Sequence, residues 1–289
     1  FQRIGTLTLL EEEQMVKAID IHVHAPEEPG VELSEVAAQM RRYFRQEPPP
    51  SDPEVMYQNF KDLDVIAVIF TVANESNTGH KGSSNDWVAS IAKKHPEQFI
   101  GWASVDPWQG KGAIYEIERC VKELGLKGLK MMPSSQGFFP NDERFYPLWA
   151  KVQELGIPVL FHSGHAAAGS GLPGGGGFKL KYNRPIPNMD DVAADFPEMN
   201  IILAHPSWPW VSEQISMCVH KNNVFCDLSG WAPKYIPEEL VREVNSRIQD
   251  KALYGSDYPV LRPERWFREF EDLPIKDEVR PKILLENAK

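Results

Sequence analysis

Short apolar runs alternate with amphipathic segments along most of the chain. A continuous apolar run is typical of a parallel strand that is covered on both faces, because neither face meets water. Such runs predict eight strands, at residues 17–24, 64–71, 99–105, 126–132, 157–162, 199–205, 222–228 and 251–257. Between the strands, the amphipathic segments 113–125 and 143–156 predict helices, and each of these segments ends at or next to a glycine, a common helix stop.

The regular alternation of strand and helix predicts an α/β fold in which crossover helices connect the strands of a parallel sheet. Eight such units match a closed (β/α)8 barrel, the TIM barrel, which typically needs about 250 residues. An open doubly wound sheet is the alternative. We see no repeat, linker or charge block that divides the chain, so residues 1–289 are predicted to form a single domain, with 1–16 as an N-terminal extension.

Two connections are unusually long, residues 25–52 after the first strand and residues 163–188 after the fifth. Long loops in compact domains are usually lids or disordered segments. In a barrel, both would lie at the C-terminal face, where barrel enzymes keep their active sites. We therefore predict that both are active-site loops.

The composition of the chain limits the kinds of partner that it is expected to bind. The net charge of −10 gives no dominant basic face and argues against nucleic acid as the main partner. No apolar run approaches the length that spans a bilayer, and three widely spaced cysteines favour a reducing compartment, so we expect a cytoplasmic protein that does not bind membranes. The chain could assemble into a homodimer.

Polar residues at the predicted strand ends carry the candidate chemistry. His22 and His24 form an HxH pair, and residues two apart on a strand point the same way, so both imidazoles can face one metal ion. His162 ends the fifth strand, His205 the sixth and Asp257 the eighth. Imidazole and carboxylate together suit Zn, Mn or Fe. The alternative is that these side chains are merely polar groups satisfied at strand ends.

Several motifs together resemble the amidohydrolase superfamily. They are IDIHVH, GLKGLKMMPSSQGFFPND, PVLFHSG, IILAHPS, LYGSDYP and ILLENAK, and together they span residues 17–289. More narrowly, the chain resembles the amidohydrolase-related family that includes aminocarboxymuconate-semialdehyde decarboxylase and related metal-dependent TIM-barrel hydrolases.

The resemblance implies a role for each residue at the strand ends. His22, His24 and His162 would be metal ligands, and Asp257 a ligand, a proton acceptor or both. His205 would be an acid or base near the metal, or a residue that polarises the substrate, rather than an obligatory ligand. The implied cofactor is one divalent ion, with Zn2+ as our first choice and Mn2+ as the second. This branch of the superfamily is usually mononuclear, so Lys130, at the end of the fourth strand, is expected to bind substrate or to be structural rather than to bridge two metals.

Basic and aromatic residues in the loops suggest a small anionic organic substrate. Arg41, Arg42 and Arg45 follow the first strand, and a second basic cluster, Lys179, Lys181 and Arg184, follows the fifth. An arginine fork suits a carboxylate. We also include His165 and Trp231 as candidate substrate contacts. The alternatives are a solvated loop histidine and an aromatic ring packed beneath the loops.

Three functions remain in competition. The first is hydrolysis of a C–O or C–N bond in a small organic acid, of the lactone or amide type. A bound metal can activate water, and the fifth strand ends in FHSG, which favours this reaction. The second is non-oxidative decarboxylation of an aromatic or muconate-type acid at the same metal. The third is a barrel that binds ligands without catalysis, against which the intact set of five residues argues. We expect the hydrolase.

Overall fold

The structure, a computed structural model, describes residues 16–46 and 50–289. The predicted N-terminal extension therefore lies outside the described residues except for Val16. All eight predicted strands are confirmed, each within its predicted segment. They are β1 (Ala18–His24), β2 (Val65–Phe70), β3 (Phe99–Gly101), β4 (Leu129–Met131), β5 (Val159–His162), β6 (Ile201–Ala204), β7 (Val224–Asp227) and β8 (Ala252–Leu253).

The strands are parallel and follow one another in chain order. Strands β1 to β3 form one sheet and β4 to β8 another. Isolated bridges between Ala103 and Leu129, and between Val23 and Tyr258, join these sheets on both sides. An open doubly wound sheet would not place β1 beside the segment that follows β8, so the (β/α)8 barrel is confirmed as the fold.

Helices connect the strands. They are α1 (Glu35–Phe44), α2 (Pro53–Asp62), α3 (Glu75–Thr78), α4 (Asn85–Lys94), α5 (Lys111–Lys122), α6 (Pro133–Gln136), α7 (Tyr146–Leu155), α8 (Asn188–Asp195), α9 (Val211–His220), α10 (Glu238–Val244), α11 (Pro263–Glu271) and α12 (Arg280–Leu284). Both predicted helices are confirmed, as α5 and α7. Gly156 ends α7 with φ 66, a left-handed conformation that glycine adopts without a Cβ penalty. No helix among these combines the length and hydrophobicity needed to cross a bilayer.

Apolar side chains fill the inside of the barrel below the strand ends. Residues from several strands, among them Ile19, Ile21 and Leu160, form this inner cluster. Strict alternation after Ile19 and Ile21 would turn His22 to the outside of the barrel. The pairing of β1 with β2 shifts its register between Asp20 and Val23, and this irregularity turns His22 inward. The packed interior therefore forms a floor, and the functional groups lie above it.

The two long loops meet over the C-terminal face. Helix α1 belongs to the first loop and contains no buried residue, so it lies on the surface of the barrel. A Cβ atom on Gly171, in the second loop, would lie 2.6 Å from the ring of Tyr43 on α1. This close approach means that the two loops touch each other across the mouth of the barrel.

Candidate metal centre

A cavity of about 500 Å3 opens at the carboxyl ends of the strands. Its walls include His24, Lys130, His162, His205 and Asp257. These residues lie at the ends of β1, β4, β5 and β6 and just after β8. The polar groups that the sequence placed at separate strand ends are therefore brought to one cavity, at the face where barrel enzymes carry their chemistry.

Two histidines and one carboxylate converge at this cavity. The Nε2 atoms of His22 and His24 lie 3.3 and 3.2 Å from the same carboxylate oxygen, Oδ1 of Asp257. One donor atom from each residue lies within 4.8 Å of the other two. Neutral imidazole and carboxylate at this spacing form a donor set suited to a divalent ion such as Zn2+ or Mn2+. The residues present therefore fit the implied metal.

His162 and His205 face each other beside this group. Nδ1 of His162 and Nε2 of His205 are 3.1 Å apart. The outer nitrogen of each ring meets a backbone carbonyl, His165 O at 3.0 Å and Ser229 O at 3.1 Å. Because a carbonyl only accepts hydrogen bonds, these outer nitrogens carry the protons. The inner nitrogens then direct lone pairs toward each other, an arrangement suited to a cation that both rings contact.

The predicted metal ligands do not all lie equally close to one another. Among the described residues, His22, His24 and Asp257 form one compact group whose donor atoms all lie within 4.8 Å of one another. His162 is not in this group and contacts His205 instead. The ligand role of His162 stays a prediction. His205 lies near the metal group, with its ring centroid 4.8 Å from that of His22.

The backbone at two of these residues is unusual. His205 and Asp257 have φ values of 67 and 65, in the left-handed region that residues with a side chain rarely adopt. Gly230 packs against both, and a Cβ atom added there would lie 2.5 Å from Nδ1 of His205 and 3.2 Å from Oδ2 of Asp257. The site therefore depends on a locally strained backbone and on a glycine that leaves space for two functional side chains.

Burial and charge set the protonation states. Burial, then the nearby Lys130, lowers the pKa of His22 to about 3. Burial alone would raise the pKa of Asp257, but its electrostatic interaction with His22 and a hydrogen bond with His24 hold that pKa below its usual range. These shifts favour a neutral His22 and an ionised Asp257, the forms that bind metals.

Lys130 lies at the base of the cavity and is 1% exposed. Its Nζ is 3.2 Å from Nε2 of His22 and 5.1 Å from the centroid of the Phe70 ring. Burial lowers the pKa of Lys130 to about 8, against the opposing charges of Asp227 and Asp257. The predicted substrate-binding lysine is thus next to the metal group.

The three arginines predicted on the first loop have different surroundings. Arg41 lines the cavity, and burial lowers the pKa of its guanidinium, with Glu27 acting in the opposite direction. Arg42 is exposed and forms an ion pair with Glu35. Arg45 is the exposed residue that ends α1. Of the three, Arg41 is the one placed to meet a ligand in the cavity.

The other predicted substrate contacts lie farther out. His165 packs near Trp208, with ring centroids 5.8 Å apart, and its carbonyl holds His162. Trp231 lies 6.2 Å from Trp208 between ring centroids and packs against the core. In the second basic cluster, Arg184 pairs with Glu213, and Lys181 lies over the ring of Phe139. Within the described part of the chain, none of these residues lines the cavity.

The sequence missed three groups at the site. Asp227 and Ser229, at the end of β7, contact both His22 and His205. His80, in the loop after β2, also lines the cavity. Asp227 could have been predicted because, like Asp257, it is a carboxylate at the end of a predicted strand. An isolated histidine in a loop carries no comparable signal in the sequence.

Asp20 is buried below the site, where desolvation raises its pKa to about 7. It accepts hydrogen bonds from the backbone N–H groups of His22 and Ser256.

Comparison with known proteins places this site in a family context. The chain is 29% identical to 2-amino-3-carboxymuconate-6-semialdehyde decarboxylase of Dictyostelium discoideum over 120 residues, 38% of this chain and 33% of that protein. It is 24% identical to the decarboxylase orsB of Emericella nidulans over 261 residues, 75% of this chain and 77% of that one. The matched region thus spans about a third of the first relative and about three quarters of the second.

Solved structures share the fold. An uncharacterised TIM-barrel protein, Bb4693 of Bordetella bronchiseptica, superimposes with a TM-score of 0.79 at 26% identity, covering 94% of this chain and 96% of that one. A dihydroxybenzoic acid decarboxylase of Polaromonas sp., solved with bound manganese and 2-nitroresorcinol, gives a TM-score of 0.61 at 18% identity over 95% and 96% of the two chains. A family model described as Amidohydrolase matches residues 19–289. Because that match covers nearly the whole chain, the protein belongs to the Amidohydrolase family.

Proposed function

We propose that the protein is a metal-dependent decarboxylase of a small aromatic or muconate-type carboxylic acid. The observation that carries this proposal is the convergence of His22, His24 and Asp257 beside His205 at the cavity. The named relatives are decarboxylases, which supports this reaction better than the hydrolysis favoured from the FHSG segment. Metal-activated hydrolysis remains the second candidate, because the same donor set serves both reactions.

The metal proposed for this site is one divalent ion, held by His22, His24 and Asp257, with His162 as a further ligand. Manganese in the Polaromonas decarboxylase supports Mn2+ beside our first choice, Zn2+. When bound, such an ion withdraws electron density from a coordinated oxygen of the substrate, which helps the adjacent carbon to accept the electron pair of the breaking bond.

The residues of this chain would do the rest of the chemistry. Decarboxylation breaks the bond between the substrate carbon and its carboxylate, releases CO2 and leaves an electron pair on that carbon, which must then take a proton. His205 lines the cavity with Nε2 facing inward and Nδ1 held by Ser229. It is the group proposed to take up a proton from water at Nε2 and to deliver that proton to the carbon. Asp257 is held ionised by the histidines around it and acts as a ligand.

The anionic substrate would be held by two cations that make no hydrogen bond to a carboxylate within the described residues. Lys130 lies at the base of the cavity and Arg41 on its wall. Within residues 16–46 and 50–289, no acceptor makes a hydrogen bond to the Arg41 guanidinium, whereas Arg42 and Arg184 already pair with glutamates. An unpaired guanidinium beside a cavity is suited to a carboxylate or a phenolate oxygen.

The test is to identify the released product. Protein loaded with Mn2+ or with Zn2+ would be incubated in H2 18O with a panel of carboxyl-labelled hydroxybenzoates, muconate-type acids and lactones. We expect labelled CO2 and no 18O in the organic product. Incorporation of 18O without CO2 would instead establish the hydrolase.

A further inference from the structure

Asp227 is the last residue of β7 and is fully buried. Its two carboxylate oxygens have separate sets of partners. Oδ2 accepts a hydrogen bond from Nδ1 of His22 at 2.8 Å. Oδ1 accepts from the backbone N–H groups of His205 at 2.8 Å and Ser229 at 2.9 Å. One carboxylate therefore contacts a proposed metal ligand through its side chain and the proposed proton donor through its backbone.

These contacts determine the tautomer of His22. An ionised carboxylate only accepts hydrogen bonds, so Nδ1 of His22 must carry the hydrogen that it shares with Asp227. The opposite nitrogen, Nε2, then has a free lone pair. That lone pair lies on the side of Asp257 and His24, where the metal is proposed to bind. The reverse tautomer would place a nitrogen lone pair against the carboxylate and an N–H against the metal.

We infer that Asp227 is a positioning residue for the metal centre: it holds His22 in the tautomer whose Nε2 binds the metal and holds the backbone of His205 beside it. The inference rests on the proposed metal-dependent function. Carboxylates that orient a ligating histidine commonly change metal affinity 10- to 100-fold when they are removed.

Ser229 extends the same arrangement to the ring of His205. Its hydroxyl donates to Oδ1 of Asp227. Its oxygen lies 2.9 Å from Nδ1 of His205 and 3.0 Å from Nδ1 of His22, and can accept from both. Because Nδ1 of His205 faces acceptors in Ser229, its Nε2 presents a lone pair to the cavity. A single buried carboxylate thus sets the orientation of both rings, directly in one case and through a hydroxyl in the other.

The substitution that tests this role is Asp227→Asn. An amide has one acceptor oxygen, and the four hydrogen bonds at Asp227 need acceptors on both sides. If its NH2 group pointed toward His22, the asparagine would favour the His22 tautomer with the proton on Nε2. If its NH2 group pointed toward Ser229, it would face three donors, which are the backbone N–H groups of His205 and Ser229 and the Ser229 hydroxyl. Asp106→Asn is the matched control, because Asp106 is also buried, lies just after β3 and accepts from the backbone N–H groups of Ser76 and Trp108.

Mn2+ affinity would be measured on the full chain by the electron paramagnetic resonance signal of the free ion. We expect Asp227→Asn to raise the Kd for Mn2+ by about 10- to 100-fold, and Asp106→Asn to leave it within about twofold. A Kd for folded Asp227→Asn within about threefold of the parent value, or an equal loss in Asp106→Asn, would overturn the positioning role.

A second measurement needs no folded variant. In the unsubstituted protein labelled with 15N-histidine, long-range 1H–15N spectra distinguish the two neutral tautomers, and His22 should carry its proton on Nδ1. A proton on Nε2 would overturn the inference while leaving metal binding intact. Failure of the parent protein to bind Mn2+ or Zn2+ would instead refute the proposed function, while the His22 spectrum would still report the tautomer of His22.

Discussion

Replacement of Arg41 by methionine tests whether the cavity recognises an anion. Arg41 lines the cavity and is partly buried, and its guanidinium makes no hydrogen bond within the part of the chain that the structure describes. A hydrogen bond from a charged donor contributes about 1.5–3 kcal/mol. Since about 1.4 kcal/mol corresponds to a factor of ten in rate, loss of this contact should lower kcat/KM by roughly 10- to 150-fold.

The matched control is Arg42→Met. Arg42 is the next residue on the same helix, so both substitutions remove one positive charge from α1 and leave a side chain of similar length. Arg42 is exposed and already paired with Glu35, and such pairs contribute about 0–1 kcal/mol. We therefore expect Arg42→Met to change kcat/KM by less than about threefold.

The assay follows CO2 release from the acid identified in the product screen, at several substrate concentrations. If Arg41 binds the substrate before the reaction, the loss should appear mainly as a higher KM. A value of kcat/KM for Arg41→Met within about threefold of the parent protein would refute the contact. Equal losses in the two variants would assign the effect to long-range charge instead.

Four further outcomes test the site itself. Elemental analysis should return one Zn or Mn per chain, whereas two equivalents would make Lys130 a candidate bridging ligand. Asp257→Asn should abolish both metal binding and turnover because it removes the charge on which two histidines converge. Retention of more than a few per cent of the activity would contradict its role. His205→Ala should lower kcat by about 10²- to 10⁴-fold while the metal content is retained, and parallel loss of metal would make His205 a ligand. Gly230→Ala should lower kcat at unchanged secondary structure by circular dichroism, because its Cβ would displace His205 and Asp257; normal kinetics would mean that the site can adjust.

The barrel could be predicted because its signal is distributed over the whole chain. Eight buried strands alternate with helices, and the periodicity of each type of element is visible in the residues themselves. The HxH pair was also predicted to face one site, and both rings do contact Asp257. The sequence did not show that β1 needs a register shift between Asp20 and Val23 to turn His22 inward. Such a shift depends on the neighbouring strand, which a local pattern cannot report.

The substrate side of the site was less predictable. Arg41 and Arg42 are adjacent and chemically identical, and only the rotation of α1 separates a cavity residue from one paired with Glu35. His80 gave no local signal, because its place on the wall depends on how the loop after β2 packs. Asp227 could have been suspected as another carboxylate at a strand end. Its partners, His22 and His205, come from distant parts of the sequence and meet it only in the closed barrel.

The left-handed backbone at His205 and Asp257 has an evolutionary consequence. A conformation that disfavours any residue with a Cβ costs of order 1–3 kcal/mol, so glycine at either position would relax the main chain. Selection for thermal stability and selection for turnover therefore act in opposite directions on the same two codons. If a lineage of this barrel no longer needed its chemistry, these positions would be among the first to drift, and glycine at position 205 or 257 would mark a homologue that has become inactive.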